Sequence, residues 1–163
     1  MIPNQPLSAS LGAALEQRED LLTGGSTSAV RLFNGFSEGF PGLSAELYGR
    51  TLVLFLQKVT GIEAGRLAAT ALDFYQEHLP FLRCVISKQR SSPYAEEKRG
   101  KIIFGDQPDE DILENGIRYA LDLRLNQDAS FYIDTRNVRA WLKEHSIGLD
   151  VLKRIEQRDM IVR

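Results

Sequence analysis

Residues 43–57 read LSAELYGRTLVLFLQ. Two apolar runs of strand length, Leu43 to Tyr48 and Thr51 to Gln57, flank Gly49-Arg50, and that spacing predicts a hairpin closed by a two-residue turn. Beyond it the hydrophobic period changes. Across Ile62 to Leu79 the residues Leu67, Ala68, Ala71, Leu72, Tyr75 and Leu79 fall on one helical face, and Pro80, which has no amide proton to donate, ends the run. Strand patterning returns at Leu82 to Ser87 and at Lys101 to Phe104. Upstream, Ala29 to Phe33 is a further apolar run, and Asn34 to Leu43 carries Gly35, Gly39, Pro41 and Gly42, which force a loop. The order strand, strand, strand, helix, strand, strand predicts an α+β fold, a small mixed sheet with a helix packed on one face.

The flanks read differently. A short helix opens the chain, with Ser8 or Ser10 placed to cap it, Leu11, Leu15 and Leu22 near one face, and Gly24-Gly25 to end it. Downstream, Ile112 to Leu125 alternates around Asn115-Gly116, a hairpin signal. Phe131 to Ile133 is a short apolar strip. Asp134 or Thr135 then caps a helix whose Val138, Trp141, Leu142 and His145 follow helical spacing, with Arg136, Arg139 and Lys143 turned away and Gly148 at its end. Leu149 to Leu152 has the composition of the start of a strand. The expected organisation is an N-terminal helix over 1–29, an α+β domain over 30–105, and a hairpin and helix over 106–163.

The chain has 163 residues, 43% hydrophobic and 26% charged, with a net charge of -2. That composition sustains a packed core. The apolar runs are strand length, far short of the roughly 20 residues a membrane-spanning helix needs, so no membrane role is expected. Pro3, Asn4 and Pro6 stand where a signal peptide would carry a basic flank and an apolar stretch. With Cys84 the single cysteine, no internal disulfide can form, which suits a reducing, cytoplasmic setting. The near-neutral charge argues against a protein that coats nucleic acid, but it hides a local imbalance. Arg83, Lys88, Arg90, Lys98, Arg99 and Lys101 crowd one segment against only Glu96 and Glu97, and Asp106 to Glu114 holds five acids and no base.

Two motifs about eighty residues apart make the sequence recognisable. Arg31-Leu32-Phe33-Asn34-Gly35, Glu38-Gly39-Phe40-Pro41-Gly42-Leu43 and Glu46-Leu47-Tyr48-Gly49 form the first. The second is Glu114-Asn115-Gly116 with Phe131-Tyr132-Ile133-Asp134-Thr135-Arg136-Asn137. Together they resemble the class I SAM-dependent methyltransferases that modify cytosine carbon-5 in large-subunit ribosomal RNA. Phe40 replaces a usual leucine, glutamate stands for aspartate at two positions, and Thr135 replaces a glutamine. The resemblance covers roughly residues 8 to 152 and implies that the α+β domain is the family's central accessory lobe. The hairpin and helix after it would then open a Rossmann-type domain.

In that family S-adenosylmethionine is the cofactor, and Phe131, Asp134 and Arg136 match positions beside it. The first Rossmann strand would begin at Leu149 to Leu152, and a glycine-rich loop would follow it to approach the cofactor. Lys153 to Asp159 offers no such loop. The expectation is therefore a homologue truncated before the SAM-binding loop and without the catalytic motifs or the usual PUA-type RNA-binding domain. It would be inactive alone and bind no SAM by itself. The alternative is a stand-alone module for RNA binding or self-association.

Individual residues carry two readings each. Cys84 resembles a nucleophile that attacks pyrimidine carbon-6, but its strand context favours a small core residue and it does not match the family position. His78 and His145 lack partners at metal-ligand spacing and suit helix ends. Lys88, Arg90, Tyr94, Lys98 and Arg99 read either as an RNA-binding patch, cations for phosphates and a ring for a base, or as a solvated loop facing the acidic segment. Asp134 and Arg136 read equally as a helix cap and a solvated side chain. A half-built catalytic domain would expose Phe131, Tyr132, Val138, Trp141 and Leu142 as one apolar patch, a surface suited to homodimerisation.

Overall fold

The computed structural model describes residues 6–22 and 28–145. The chain divides into two compact units, 1–131 and 132–163. In the first, helices α1 (Leu7–Glu16) and α2 (Glu19–Leu22) precede strands β1 (Ala29–Phe33), β2 (Leu43–Tyr48) and β3 (Thr51–Leu56). Helix α3 (Gly61–His78) leads to β4 (Cys84–Gln89), a short helix α4 (Ala95–Arg99) and β5 (Lys101–Phe104). Strands β6 (Asp111–Glu114) and β7 (Ile117–Ala120) complete it. The five-stranded sheet has the order β1-β2-β3-β4-β5. Only β3 and β4 run parallel, because α3 carries the chain back across the sheet between them, and the other neighbours are antiparallel. This is the α+β architecture expected, a mixed sheet with its packed helix.

Strand β3 lies at the sheet's centre and every one of its residues is buried, which explains an apolar run without polar alternation. The two faces of the sheet nonetheless differ. Leu43, Ala45 and Leu47 of β2, Leu52, Leu54 and Leu56 of β3 and Val85 of β4 join Leu11 and Ala14 of α1 and Ala64, Ala68, Ala71 and Tyr75 of α3 in one hydrophobic core. Alternation places Glu46, Tyr48, Phe55, Ile86 and Lys88 on the opposite side. The segment 121–131 covers that second face: Lys88 Nζ donates to the carbonyls of Asn126 and Asp128, and the Tyr48 hydroxyl lies 3.4 Å from that of Phe131.

Both predicted tight turns are present. Gly49 has φ 59°, and Asn115 and Gly116 are both left-handed (φ 53° and 77°), the conformation a two-residue hairpin with right-twisted strands requires. Gly35 in the β1–β2 loop has φ 77°, and a Cβ there would lie 1.8 Å from the Leu43 carbonyl oxygen. A glycine is the one residue that loop accepts.

Several expectations are corrected. Strand β4 begins and ends two residues later than Leu82 to Ser87. Leu82 closes a turn onto the Leu79 carbonyl, and parallel pairing sets Cys84 opposite Thr51. The second hairpin stops at Ala120 rather than Leu125, after which the chain leaves the ladder to cover the sheet. Helix α1 starts at Leu7 after Pro6, with no side-chain cap, so neither Ser8 nor Ser10 caps it, and Ser10 is buried within the helix. Helix α1 shares the core of the sheet, and the β6–β7 hairpin falls within the first unit. Gly24, Gly25, Gly148 and Leu149 to Leu152 lie outside the described residues.

In the second unit a single turn, Ile133–Thr135, leads into helix α5 (Arg136–Glu144). Thr135 occupies the N-cap position, but its hydroxyl donates to the Tyr132 carbonyl and receives Arg139 Nη1, so neither it nor Asp134 caps the helix through its side chain. Tyr132, Val138, Trp141 and Leu142 are exposed as expected. Phe131 departs from that patch: it is buried in the first unit, edge-on to Tyr119.

Candidate nucleic-acid interface

The basic segment emerges from the end of β4, and the strand sorts its members. Lys88 shares the face of Cys84 and Ile86 and is wholly buried, its stem under Gly100 and its ammonium 2.6 and 2.8 Å from two carbonyls. Loss of water holds its pKa down, to about 8, against partial restoration by Asp128 and Asp122. Lys88 therefore clamps the covering segment and is corrected from a phosphate contact to a structural one. The period-2 pattern carried the signal, since extending the strand by one alternation past Ile86 puts Lys88 inside.

Arg90 is half-buried. Its guanidinium lies 4.0 Å from the centre of the Phe55 ring and pairs with Asp128 at 2.9 Å. Tyr94 precedes α4 and is exposed, and Lys98 and Arg99 occupy the last turn of α4, where cations complement the helix dipole. The structure thus brings Arg90, Tyr94, Lys98 and Arg99 into one segment at the sheet's rim and withdraws Lys88 beneath it. The acidic stretch contributes Asp109, whose carboxylate accepts from the Arg50 amide, the Thr51 hydroxyl and Arg83. That pairing ties Arg83 down and leaves the cations of α4 outside it.

The residues of the first motif meet on the polar face. Arg31 donates twice to Glu46 Oε1, at 2.9 and 2.7 Å, while the Tyr48 hydroxyl donates to Oε2 at 2.6 Å and reaches the Phe131 carbonyl at 3.4 Å. Burial and the adjacent carboxylate push the Tyr48 hydroxyl far above its usual pKa, so it stays a donor. Glu46 is itself buried and needs both partners. Adjacency of motif residues across β1 and β2 explains their spacing. That the network reaches residue 131 could not be read from sequence.

Cys84 is fully buried, and desolvation with nearby Asp109 and Asp106 pushes its thiol up, away from the reactive thiolate. His78 donates Nδ1–H to the Phe74 carbonyl at 2.8 Å and stacks on the Phe74 ring. His145 does the same with Trp141. Both rest at helix ends. Among the described residues no group of three or more histidine, cysteine or acidic side chains is arranged to hold a metal ion. Phe131 packs rather than presents its ring, while Asp134 is exposed and Arg136 partly so. Phe131 belongs to the first unit, where its ring meets Tyr119 edge-on, and Asp134 and Arg136 belong to the second.

No protein-family model matches the chain. Relatives do. It is 30% identical to the ribosomal RNA large subunit methyltransferase of Deinococcus radiodurans over 88% of its own length. It is 32% identical to ribosomal RNA large subunit methyltransferase I of Shewanella denitrificans over 83%, and 26% identical to that of Pseudoalteromonas atlantica over 87%. The chain is a homologue of the ribosomal RNA large subunit methyltransferases. It spans only about a third of their length, 34% to 37% of these three. Its fold matches a solved chain from Streptococcus mutans described as a SAM-dependent methyltransferase, with a TM-score of 0.66 at 20% identity over 83% of this chain and 34% of that one. A second solved chain, described as a methyltransferase complexed with SAH, superposes with the same TM-score of 0.66, at 21% identity over 81% of this chain and 33% of that one.

Proposed function

We propose that these residues form the RNA-engaging accessory lobe of a SAM-dependent ribosomal RNA methyltransferase, acting in the cytoplasm, and that on their own they transfer no methyl group. The carrying observation is how the motif residues behind the kinship are used. Arg31, Glu46, Tyr48, Gly35 and Phe131 are all engaged in holding the lobe together, none in a reactive arrangement. Cys84, the single thiol, is buried and raised in pKa. By kinship the substrate of the complete enzyme is a large-subunit rRNA cytosine and its product 5-methylcytosine.

RNA contact falls to Tyr94, Lys98 and Arg99, since Arg90 is held by Asp128 and the Phe55 ring. Anisotropy titration of a labelled large-subunit rRNA fragment should show affinity falling steeply with salt, and Lys98→Ala with Arg99→Ala should lower the salt slope by about two. Absence of binding at low salt refutes the RNA reading. Calorimetric titration of the 163-residue chain with S-adenosylmethionine should give no micromolar binding, and a micromolar constant overturns the inactivity. The exposed Val138, Trp141 and Leu142 of α5 favour self-association as a second reading. Sedimentation that stays monomeric at high concentration removes it.

A further inference from the structure

Three connections share one end of the sheet. Strand β1 runs parallel to β3, since both are antiparallel to β2, and β3 is parallel to β4, so the loops leaving all three emerge on the same edge. They are stitched together. The Gln57 amide donates to the Gly42 carbonyl, the Arg90 amide to Leu56, and the Gln89 side-chain amide to Val59. Gly42 sits so close to Val59 that a Cβ would lie 2.7 Å from that side chain. Lys58 is held in the left-handed region at φ 58°, unusual for a lysine, with its amide bonded to the Ser91 hydroxyl. Backbone held against its preference in a knitted loop cluster marks a surface whose shape is specified.

That surface presents apolar side chains to water. Phe36, in the β1–β2 loop, is 83% exposed, Ile62 at the start of α3 is 93% exposed, and Tyr94 beyond β4 is 68% exposed. None of the three belongs to the core, against which the same loops pack Phe40 and Val59 instead. Exposed Lys58 and Arg66 flank Ile62 four residues away on either side in sequence, with exposed Glu63 beside it, and Lys98 and Arg99 follow Tyr94 after Glu96 and Glu97. Exposed rings and exposed cations carried by one set of loops are the composition of a single-strand binder, since bases stack on aromatic faces while the phosphates between them need positive charge. Three strand spacings separate β1 from β4, about 14 Å, so the two rings meet different nucleotides of one strand.

We infer that this edge is a stacking platform for single-stranded RNA, with Phe36 and Tyr94 each receiving a base and Lys58, Lys98 and Arg99 the intervening phosphates. The inference rests on the RNA reading above and adds to it the strandedness of the RNA and a second anchor, Phe36, outside the basic segment. A duplex offers no unstacked bases, so the platform discriminates against it.

The test is anisotropy with a labelled uridine dodecamer and a twelve-base-pair RNA duplex. Wild type is expected to prefer the single strand. Phe36→Ala and Tyr94→Ala should each weaken dodecamer binding about tenfold, with the salt slope unchanged and far-ultraviolet circular dichroism intact, and Phe36→Trp should restore it. If Phe36→Ala binds the dodecamer like wild type while Lys98→Ala and Arg99→Ala still weaken it, the platform is wrong and the RNA reading stands. If wild type binds neither RNA at low salt, both fall. If Phe36→Ala leaves RNA binding alone but abolishes self-association in sedimentation, the edge is a protein contact and the inference is overturned.

Discussion

Replacing Lys88 by Met keeps the length of the buried stem and removes the charge, which separates the two things this side chain does. Its ammonium satisfies the carbonyls of Asn126 and Asp128, and losing a donor to a buried acceptor costs about 1–3 kcal/mol each. Against this, carrying a proton in the fold with a pKa of about 8, where the unfolded chain has 10.5, costs about 3 kcal/mol at neutral pH. The two effects oppose each other at pH 7, so the variant's stability there is a poor diagnostic. The pH slope is a good one.

Between about pH 8 and 10.5 the unfolded chain binds more protons at this site than the folded one, so Lys88 makes stability rise with pH. Integrated from pH 7 to 9, the gain is about 1 kcal/mol. Cys84, Tyr48 and Tyr75 act the other way, because burial raises their folded pKa values and the unfolded groups release protons first, but those contributions are common to both proteins. Urea unfolding followed by circular dichroism should therefore show wild type gaining about 1 kcal/mol on Lys88→Met between pH 7 and 9 at equal m-values. Parallel stability curves would refute the burial of a charged lysine on this face.

Other outcomes follow from the same geometry. Gly35→Ala places a methyl against the Leu43 carbonyl in a left-handed backbone and should cost about 3 kcal/mol or more, read from the urea midpoint; an unmoved midpoint means the loop is open. Glu46→Gln weakens the charge-assisted bonds of Arg31 and should destabilise by about 2 kcal/mol, with Arg31→Ala adding little on top in a double-mutant cycle. Full additivity of the two would show that they are not one network. Cys84 should react with a thiol reagent at least a hundredfold more slowly in the native protein than in guanidinium, and a fast native phase would contradict its burial.

The elements of the sheet were legible because each carries a local signal. The Gly49-Arg50 turn fixes the β2–β3 register, and Pro80 closes α3. The boundary of β4 was not, because it is set by parallel pairing with β3, a contact about thirty residues away in sequence. The caps failed for a related reason. Ser8 and Ser10 are good cap residues, but Leu7 is drawn into the core and the helix begins one turn earlier than propensity suggests.

The candidate site was half legible, and the division follows the sheet. A charge run is visible in sequence, yet whether a member faces water depends on strand phase, so Lys88 and Arg90, two residues apart, are drawn inward beneath the 121–131 segment. The cations carried by α4, which lies outside the sheet, remain available in the way composition implies, and so does Lys101 on the edge strand β5. The same logic explains Phe131. An apolar residue in a short strip signals burial, and which surface buries it depends on a cover over β2 and β4 that no local pattern announces. The motif residues are then best understood through that cover. Glu46 is tolerable inside because Arg31 and Tyr48 satisfy it, and the Tyr48 hydroxyl also lies against the Phe131 carbonyl of the covering segment. A motif spread over three segments records the residues that must coexist to bury one carboxylate, which is a requirement of the fold before it is one of catalysis.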